Sequence, residues 1–312
     1  MGDRGLGSIR FVKLIQLARP QFLIASLALF IIGMAWALLL GAPFLLPRIL
    51  LGYLIILSAQ LSVSYSNDYF DVEVDRFGKP SLFSGGSGIL VEYPQLRKPA
   101  LWIAIALTAC SVLLAILFLF IYSYPIWFLA YVLVSNLLSW LYSAPPLRLA
   151  YRGLGELVTA FMAGFLLPGM GYWVTRGTID RDGLLFTLPL VLYGLAFMLA
   201  VEIPDVEADR LGHKKTWVAR MGRSFGFTAI AALLFTATAF FFSAAYLFSN
   251  PASLDFRFLS FSSLLPLGAA ILGAVKRPAD RQAATWLANA MLITLAVFLI
   301  LTDVYLVLSI IS

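Results

Sequence analysis

The chain has 312 residues, 61% of them hydrophobic and 12% charged, with a net charge of +6 and a mean hydropathy of +0.92. A soluble domain is roughly 45–50% apolar, so this composition excludes a water-soluble globular protein and indicates a membrane protein. One cysteine, Cys110, excludes a disulfide framework, and nothing in the charge pattern points to nucleic acid.

A helix needs about 20 mostly apolar residues to cross a bilayer. In chain order, the charge-poor runs and the Gly, Pro and polar breaks between them predict nine spans, near residues 21–40, 48–67, 99–122, 125–142, 154–175, 183–202, 225–248, 258–275 and 284–311. Each is expected to be a helix, because lipid offers the backbone no hydrogen-bond partner and the runs lack the strict alternation of a barrel. The expected fold is therefore an all-α membrane protein, with residues 1–312 as one transmembrane domain. The first run is long enough to span and lacks a clear small-residue cleavage site, so it is expected to remain as the first helix. Cys110, inside the third run, reads as a small packing residue. Asp303, in the ninth, is expected at the far interface.

With nine spans, the N-terminal arm and the loops after the second, fourth, sixth and eighth helices share one side. That side holds 18 of the 22 Lys and Arg residues. The positive-inside rule makes it cytoplasmic, so the net charge is mainly a topology signal and attraction to anionic head groups is secondary.

Two segments on that side nearly repeat: DVEVDRFG from Asp71 to Gly78 and DVEADRLG from Asp205 to Gly212. The first ends the second span within a motif at 67–79, and the second ends the sixth within a motif at 202–216. The recurrence reads as an internal duplication of acid motifs. If the helix persists, Asp68, Asp71 and Asp75 at i, i+3 and i+7 lie within about 60° on the helical wheel. Asn67 extends that face, and Glu73 points away toward solvent or a basic neighbour. Glu202, Asp205 and Asp209 repeat the spacing with Glu207 pointing away, although Pro204 bends this copy.

Three carboxylates on one face repel one another and are costly to desolvate near hydrocarbon, so they need a cation. Oxygen-only donors suit Mg²⁺, and the lack of nearby Cys or paired His argues against zinc. Mg²⁺ usually shares its shell with substrate phosphate, so two facing acid clusters suggest a diphosphate bridged by metal. Arg76, Lys79, Arg210, Lys214, Lys215, Arg220 and Arg223 flank the clusters. Together with Arg19 and Arg148, each beside a helix end and prolines, they read either as diphosphate contacts or as ordinary positive-inside residues. His213, the single histidine, reads as solvated or diphosphate-adjacent. Glu156 reads as an acid favouring a helix N-terminus. A diphosphate at the mouth of an apolar bundle implies a greasy tail, which isoprenyl diphosphates supply. Their allylic C–O bond can ionise and the carbocation can be captured by an electron-rich acceptor. A cation transporter is the rival reading, but its sites tend to lie near the bilayer midplane rather than at one mouth.

NDYFDVEVD resembles the N-x-x-x-D-x-x-x-D signature of the UbiA superfamily of intramembrane prenyltransferases, and DVEADRLGHKKT resembles its second D-x-x-x-D motif. LYSAPPLRL is similar to the family's Y-S-x-P segment. The resemblance runs from Ala18–Pro20 to Val218–Gly222 and implies nine helices around a central cavity, two Mg²⁺ ions, and cytoplasmic caps formed by the loops after the second and sixth helices. It implies metal association for Asn67, Asp71, Asp75, Asp205 and Asp209. Glu202 stands where many members carry Asp, and its place among the metal residues follows from that position. Asp68 is a first-motif member and joins Asp71 and Asp205 as a catalytic candidate. Arg19, Tyr142, Ser143 and Lys215 are candidates for diphosphate contact, alongside Lys79, Arg148, Lys214 and Arg220 from the flanking basic set. SGGSGIL at Ser84–Leu90 and GLGELVTAFMAGFLLPGMGYWVTRG from Gly153 resemble the branch that prenylates 1,4-dihydroxy-2-naphthoate in menaquinone synthesis. The expected substrates are thus a prenyl diphosphate and a small aromatic acceptor. A geranylgeranylglyceryl phosphate, 4-hydroxybenzoate or haem acceptor is the alternative.

Overall fold

The structure is a computed structural model that describes residues 11–78, 83, 86–247 and 254–311. Among these residues there are helices and no strands, and nine of the helices are long and apolar enough to cross a membrane. They are α1 (Pro20–Leu39), α2 (Leu46–Asp75), α3 (Arg97–Tyr122), α4 (Ile126–Ser143), α5 (Gly155–Arg176), α6 (Arg181–Glu202), α7 (Arg223–Leu247), α8 (Phe256–Lys276) and α9 (Arg281–Ile311). All nine predicted runs fall on these helices.

The helix ends follow local chemistry. Pro20 starts α1, where a missing N–H costs nothing, and Arg19 before it is left-handed, with φ 51°. The Pro145–Pro146 pair follows the end of α4 at Ser143. Gly177, with φ 91°, ends α5.

α5 is the central post. In its membrane window 61% of residues are buried, against 22–50% for the other spans. It carries a π-helical turn, Met162–Leu166, just ahead of Pro168, where the proline ring and absent N–H displace regular helical bonding. Its second half lies so close to α1 that a Cβ on Gly33 would come within 1.7 Å of the Pro168 carbonyl oxygen. Helices in lipid gain by such close approach, because no hydrophobic force drives apolar faces together there. Hydrogen bonds also join α2, α3 and α4. The Ser62 hydroxyl lies 2.7 Å from that of Thr108, which also accepts from Trp140 Nε1 at 2.7 Å, and Asn136 donates to Ser111 at 3.2 Å.

Two expectations are corrected. Helix α2 does persist through its acid motif to Asp75, but the second motif does not share that geometry. Residues Ile203–Asp205 form a 3₁₀ turn before a short helix, Val206–Leu211, because Pro204 cannot donate the bond that a continuous helix requires. Cys110 is exposed on the outer surface of α3 rather than packed inside, with Sγ 3.8 Å from the Ser58 hydroxyl. Asp303 is half-buried, and its Oδ1 is enclosed without a hydrogen-bond partner.

At the opposite end of the bundle from the acid motifs, Asp180 caps α6. It accepts from Gly183 N at 3.1 Å and from the Tyr172 hydroxyl at 2.6 Å, with Arg176 Nε at 3.4 Å. Partial burial alone would raise its pKa, but these hydrogen bonds and the Arg176 charge outweigh it and hold the carboxyl below its ordinary value. A depressed carboxyl pKa gives stability that is full above the unfolded value and is lost as pH falls through the folded one. Asp180→Ala is expected to cost about 1 kcal/mol. The check is thermal melting in detergent: the deficit against wild type should be present at neutral pH and shrink in acid.

Candidate active site

One cavity of about 430 Å³ opens at the end of the bundle where the two acid motifs lie. Asn67, Asp68, Asp71 and Asp75 line it from α2, and Glu202, Asp205 and Asp209 line it from the end of α6, the 3₁₀ turn and the short helix beyond. Arg19, Tyr142 and Lys214 complete the mouth. Deeper, the wall is apolar and aromatic, with Ala25 and Leu29 from α1, Tyr193 and Phe197 from α6, and Leu295 and Phe298 from α9. Tyr193 lies nine residues from Glu202, about 13 Å down the helix.

Asp71 accepts from three side chains. Tyr151 donates to its Oδ1 at 2.9 Å, while Ser143 and Lys214 donate to Oδ2 at 3.2 and 3.1 Å. Burial by itself would lower the Lys214 pKa, but the Asp71 and Asp209 carboxylates override it and hold the ammonium well above its usual value. Burial, with Asp71 close by, pushes the Tyr151 phenol up as well, so Tyr151 stays a hydrogen-bond donor. Asp209 accepts from Thr216 at 2.9 Å. Asp68 accepts from Ser87 and faces Arg19 at 3.9 Å. The Asn67 Oδ1 is buried with no hydrogen-bond partner.

The acids predicted to point away do so. Glu73 pairs with Arg76 and Arg97, and Glu207 pairs with Arg223 and Arg281. The flanking basic residues divide. Arg19 and Lys214 reach the cavity, whereas Arg148, Lys215, Arg220 and His213 are exposed. Arg148 instead stacks on the Tyr151 ring, 4.4 Å from its centroid. Tyr142 lines the cavity, its hydroxyl 3.7 Å from the Met198 sulfur, and Ser143 is fully buried against Asp71. Lys79 lies outside the described residues.

Sequence reading missed Tyr151, Ser87 and Gly86. Tyr151 carries no charge and sits in no repeat, so its contact with Asp71 appears only when the loop after α4 folds back over α2. Gly86 has φ +65°, and a Cβ there would fall 2.2 Å from an Asp75 carboxylate oxygen. Gly86 thus lies directly on the first motif.

The profile of the UbiA prenyltransferase family matches residues 26–296. The chain belongs to the UbiA prenyltransferase family. It is accordingly an intramembrane prenyltransferase. The 1,4-dihydroxy-2-naphthoate octaprenyltransferase of Bacillus subtilis is 28% identical over 222 residues, covering 70% of this chain and 68% of that protein. The digeranylgeranylglyceryl phosphate synthase of Thermococcus kodakarensis is 27% identical over 215 residues, covering 69% and 71%. In fold, the chain is similar to a UbiA homologue from Archaeoglobus fulgidus bound to GPP and Mg²⁺. The TM-score is 0.71 at 16% identity, covering 96% of this chain and 100% of that one. A homologue from Aeropyrum pernix in its apo form gives a TM-score of 0.62 at 19% identity, covering 88% and 96%.

Gly86→Ala in this UbiA member adds strain at a positive φ and displaces the Asp75 carboxylate. It is expected to slow prenyl transfer about tenfold or more while leaving the melting temperature within a few degrees of wild type. Rate and melting measured on one detergent preparation separate these effects.

Proposed function

We propose that the protein transfers a prenyl chain from a prenyl diphosphate to a small aromatic acceptor, favouring 1,4-dihydroxy-2-naphthoate, at a mouth facing the cytoplasm. One observation carries this reading: both acid motifs and the half-buried Lys214 converge on a single cavity whose depth is apolar. The polar rim suits a diphosphate and the apolar depth suits a hydrocarbon tail. The cytoplasmic assignment follows from the 18 basic residues at that end.

Among the described residues, no three His, Cys, Asp or Glu side chains form a ready metal cage. Mg²⁺ does not require one, since it keeps waters and takes substrate oxygens as ligands. The oxygen-only donor set and the unpartnered Asn67 Oδ1 fit that ion. Asn67, Asp71, Asp75, Asp205 and Asp209 would hold two such ions. When bound, they supply Lewis-acid neutralisation of the departing diphosphate.

The chain's own residues do the rest. Ser143 and Tyr151 fix the Asp71 carboxylate, and Asp68 holds Arg19 at the rim. Lys214 and Arg19 give point and forked donors to diphosphate oxygens. The allylic C–O bond breaks with its electron pair leaving on the diphosphate, a bond forms from the acceptor ring to the allylic carbon, and the ring loses a proton. Tyr193, Phe197 and Phe298 present aromatic faces that stabilise positive charge on the tail and exclude water.

The naphthoate preference rests on the SGGSGIL and GLGEL segments and on the Bacillus relative. The Thermococcus relative supports an ether-lipid glyceryl phosphate as the second reading. Purified protein given Mg²⁺, labelled geranylgeranyl diphosphate and an acceptor panel is expected to label the naphthoate. Label on the glyceryl phosphate would transfer the assignment there. Metal flux in proteoliposomes without prenyl transfer would reject the enzyme reading.

Asp71→Ala and Asp205→Ala are each expected to abolish turnover while the protein still elutes as a folded species in detergent. Near-normal rates in either would remove that residue from metal binding. Lys214→Met is expected to raise KM for the prenyl diphosphate about tenfold or more through loss of a charge-assisted hydrogen bond.

A further inference from the structure

Glu156 and Glu202 are among the most deeply buried charged side chains, at 0% and 2% exposure. Glu156 lies in the first turn of α5 and Glu202 ends α6. The two carboxyl groups accept from adjacent backbone amides, Trp217 N and Val218 N, and so are brought together in one dry site. Two ionised carboxylates held there repel strongly, and neither has a hydrogen to donate, so one shared proton relieves the repulsion and supplies the donor.

One oxygen of each points at the same segment. Glu156 Oε1 accepts from Trp217 N at 2.5 Å, and Glu202 Oε2 accepts from Val218 N at 3.3 Å. Glu156 Oε2 and Glu202 Oε1 are buried and meet no N–H or hydroxyl donor. The same segment is tied elsewhere to the loop before α5: Lys215 N donates to Tyr151 O at 3.3 Å, and Trp217 Nε1 donates to Gly153 O at 2.9 Å. Lys214, just ahead of it, reaches across to Asp71.

We propose that Glu156 and Glu202 form a proton-sharing carboxyl pair that pins residues 215–218 against α5 and α6 and thereby aims Lys214 into the cavity. Glu156 is a positioning residue. Glu202 belongs to this pair rather than to the metal ligands, although it borders the cavity. The role of Lys214 in this statement rests on the prenyl-transfer reading above; the pair itself does not.

The test compares wild type, Glu156→Gln, Glu202→Gln, Glu156→Ala and Asp205→Asn in detergent. Prenyl transfer is measured against Mg²⁺ and geranylgeranyl diphosphate concentration, and the protonated-carboxyl C=O stretch is followed by infrared difference spectroscopy. Glutamine can donate to the remaining carboxylate, so both Gln variants should lose one protonated-carboxyl band and keep wild-type Mg²⁺ dependence. Glu156→Ala should raise KM for the diphosphate about tenfold with a much smaller change in kcat, and Glu156→Gln should restore it.

Glu202→Gln raising the Mg²⁺ requirement as Asp205→Asn does would overturn the assignment of Glu202. Unchanged KM in Glu156→Ala would overturn the positioning role. If Glu156→Ala does not fold, the infrared bands and the KM of Glu156→Gln decide: a retained band, or a KM raised to the level of Lys214→Met, rejects the pair. Absence of prenyl transfer in folded wild type would instead defeat the prenyl-transfer reading, with the infrared result still reporting on the pair.

Discussion

Carboxylates at the edge of a low-dielectric slab must be compensated, and the architecture around the cavity mouth follows from that constraint. Six acids line one cavity mouth, where leaving them unpartnered would be costly. The chain compensates part of this charge itself. Lys214 and Arg19 bring positive charge from two different elements, and hydroxyls of Ser143, Tyr151, Ser87 and Thr216 each commit to one acid. The remaining negative charge, with the unpartnered amide oxygen of Asn67 beside it, is what makes the rim suited to divalent ions and a diphosphate.

The scaffold beneath serves to hold those groups still. Close backbone contact along α1 and α5, allowed by Gly33, and the hydrogen bonds among α2, α3 and α4 fix the helices without relying on hydrophobic force. On top, three connecting segments meet: Gly86 and Ser87 beside Asp75 and Asp68, the loop after α4 beside Asp71, and the segment after α6 that carries Lys214. Each contributes a side chain that touches an acid from another element. The site therefore forms only when all three are docked.

Much of this was legible in the sequence, and for identifiable reasons. The spans were readable because a bilayer imposes length and apolarity on every crossing helix. The face shared by Asp68, Asp71 and Asp75 was readable because helical periodicity persists through the end of α2. The outward turn of Glu73 followed from the same periodicity. For Glu202, Asp205 and Asp209 that periodicity fails at Pro204, and the 3₁₀ turn gives the second motif a geometry of its own. Glu156 read as an ordinary helix-start acid, because its contact with Trp217 spans 61 residues.

By itself the sequence determined the membrane setting, the nine helices, the resemblance to intramembrane prenyltransferases and the acids of the first motif. All of these depend on local composition and spacing. Only the tertiary structure decided that Lys214 enters the cavity while Lys215, Arg220 and Arg148 stay outside, and that Tyr151 holds Asp71. In a loop, the direction of a side chain is set by what the backbone docks against. Here the docking partners, Tyr151, Gly153 and Glu156, lie some sixty residues away in the chain.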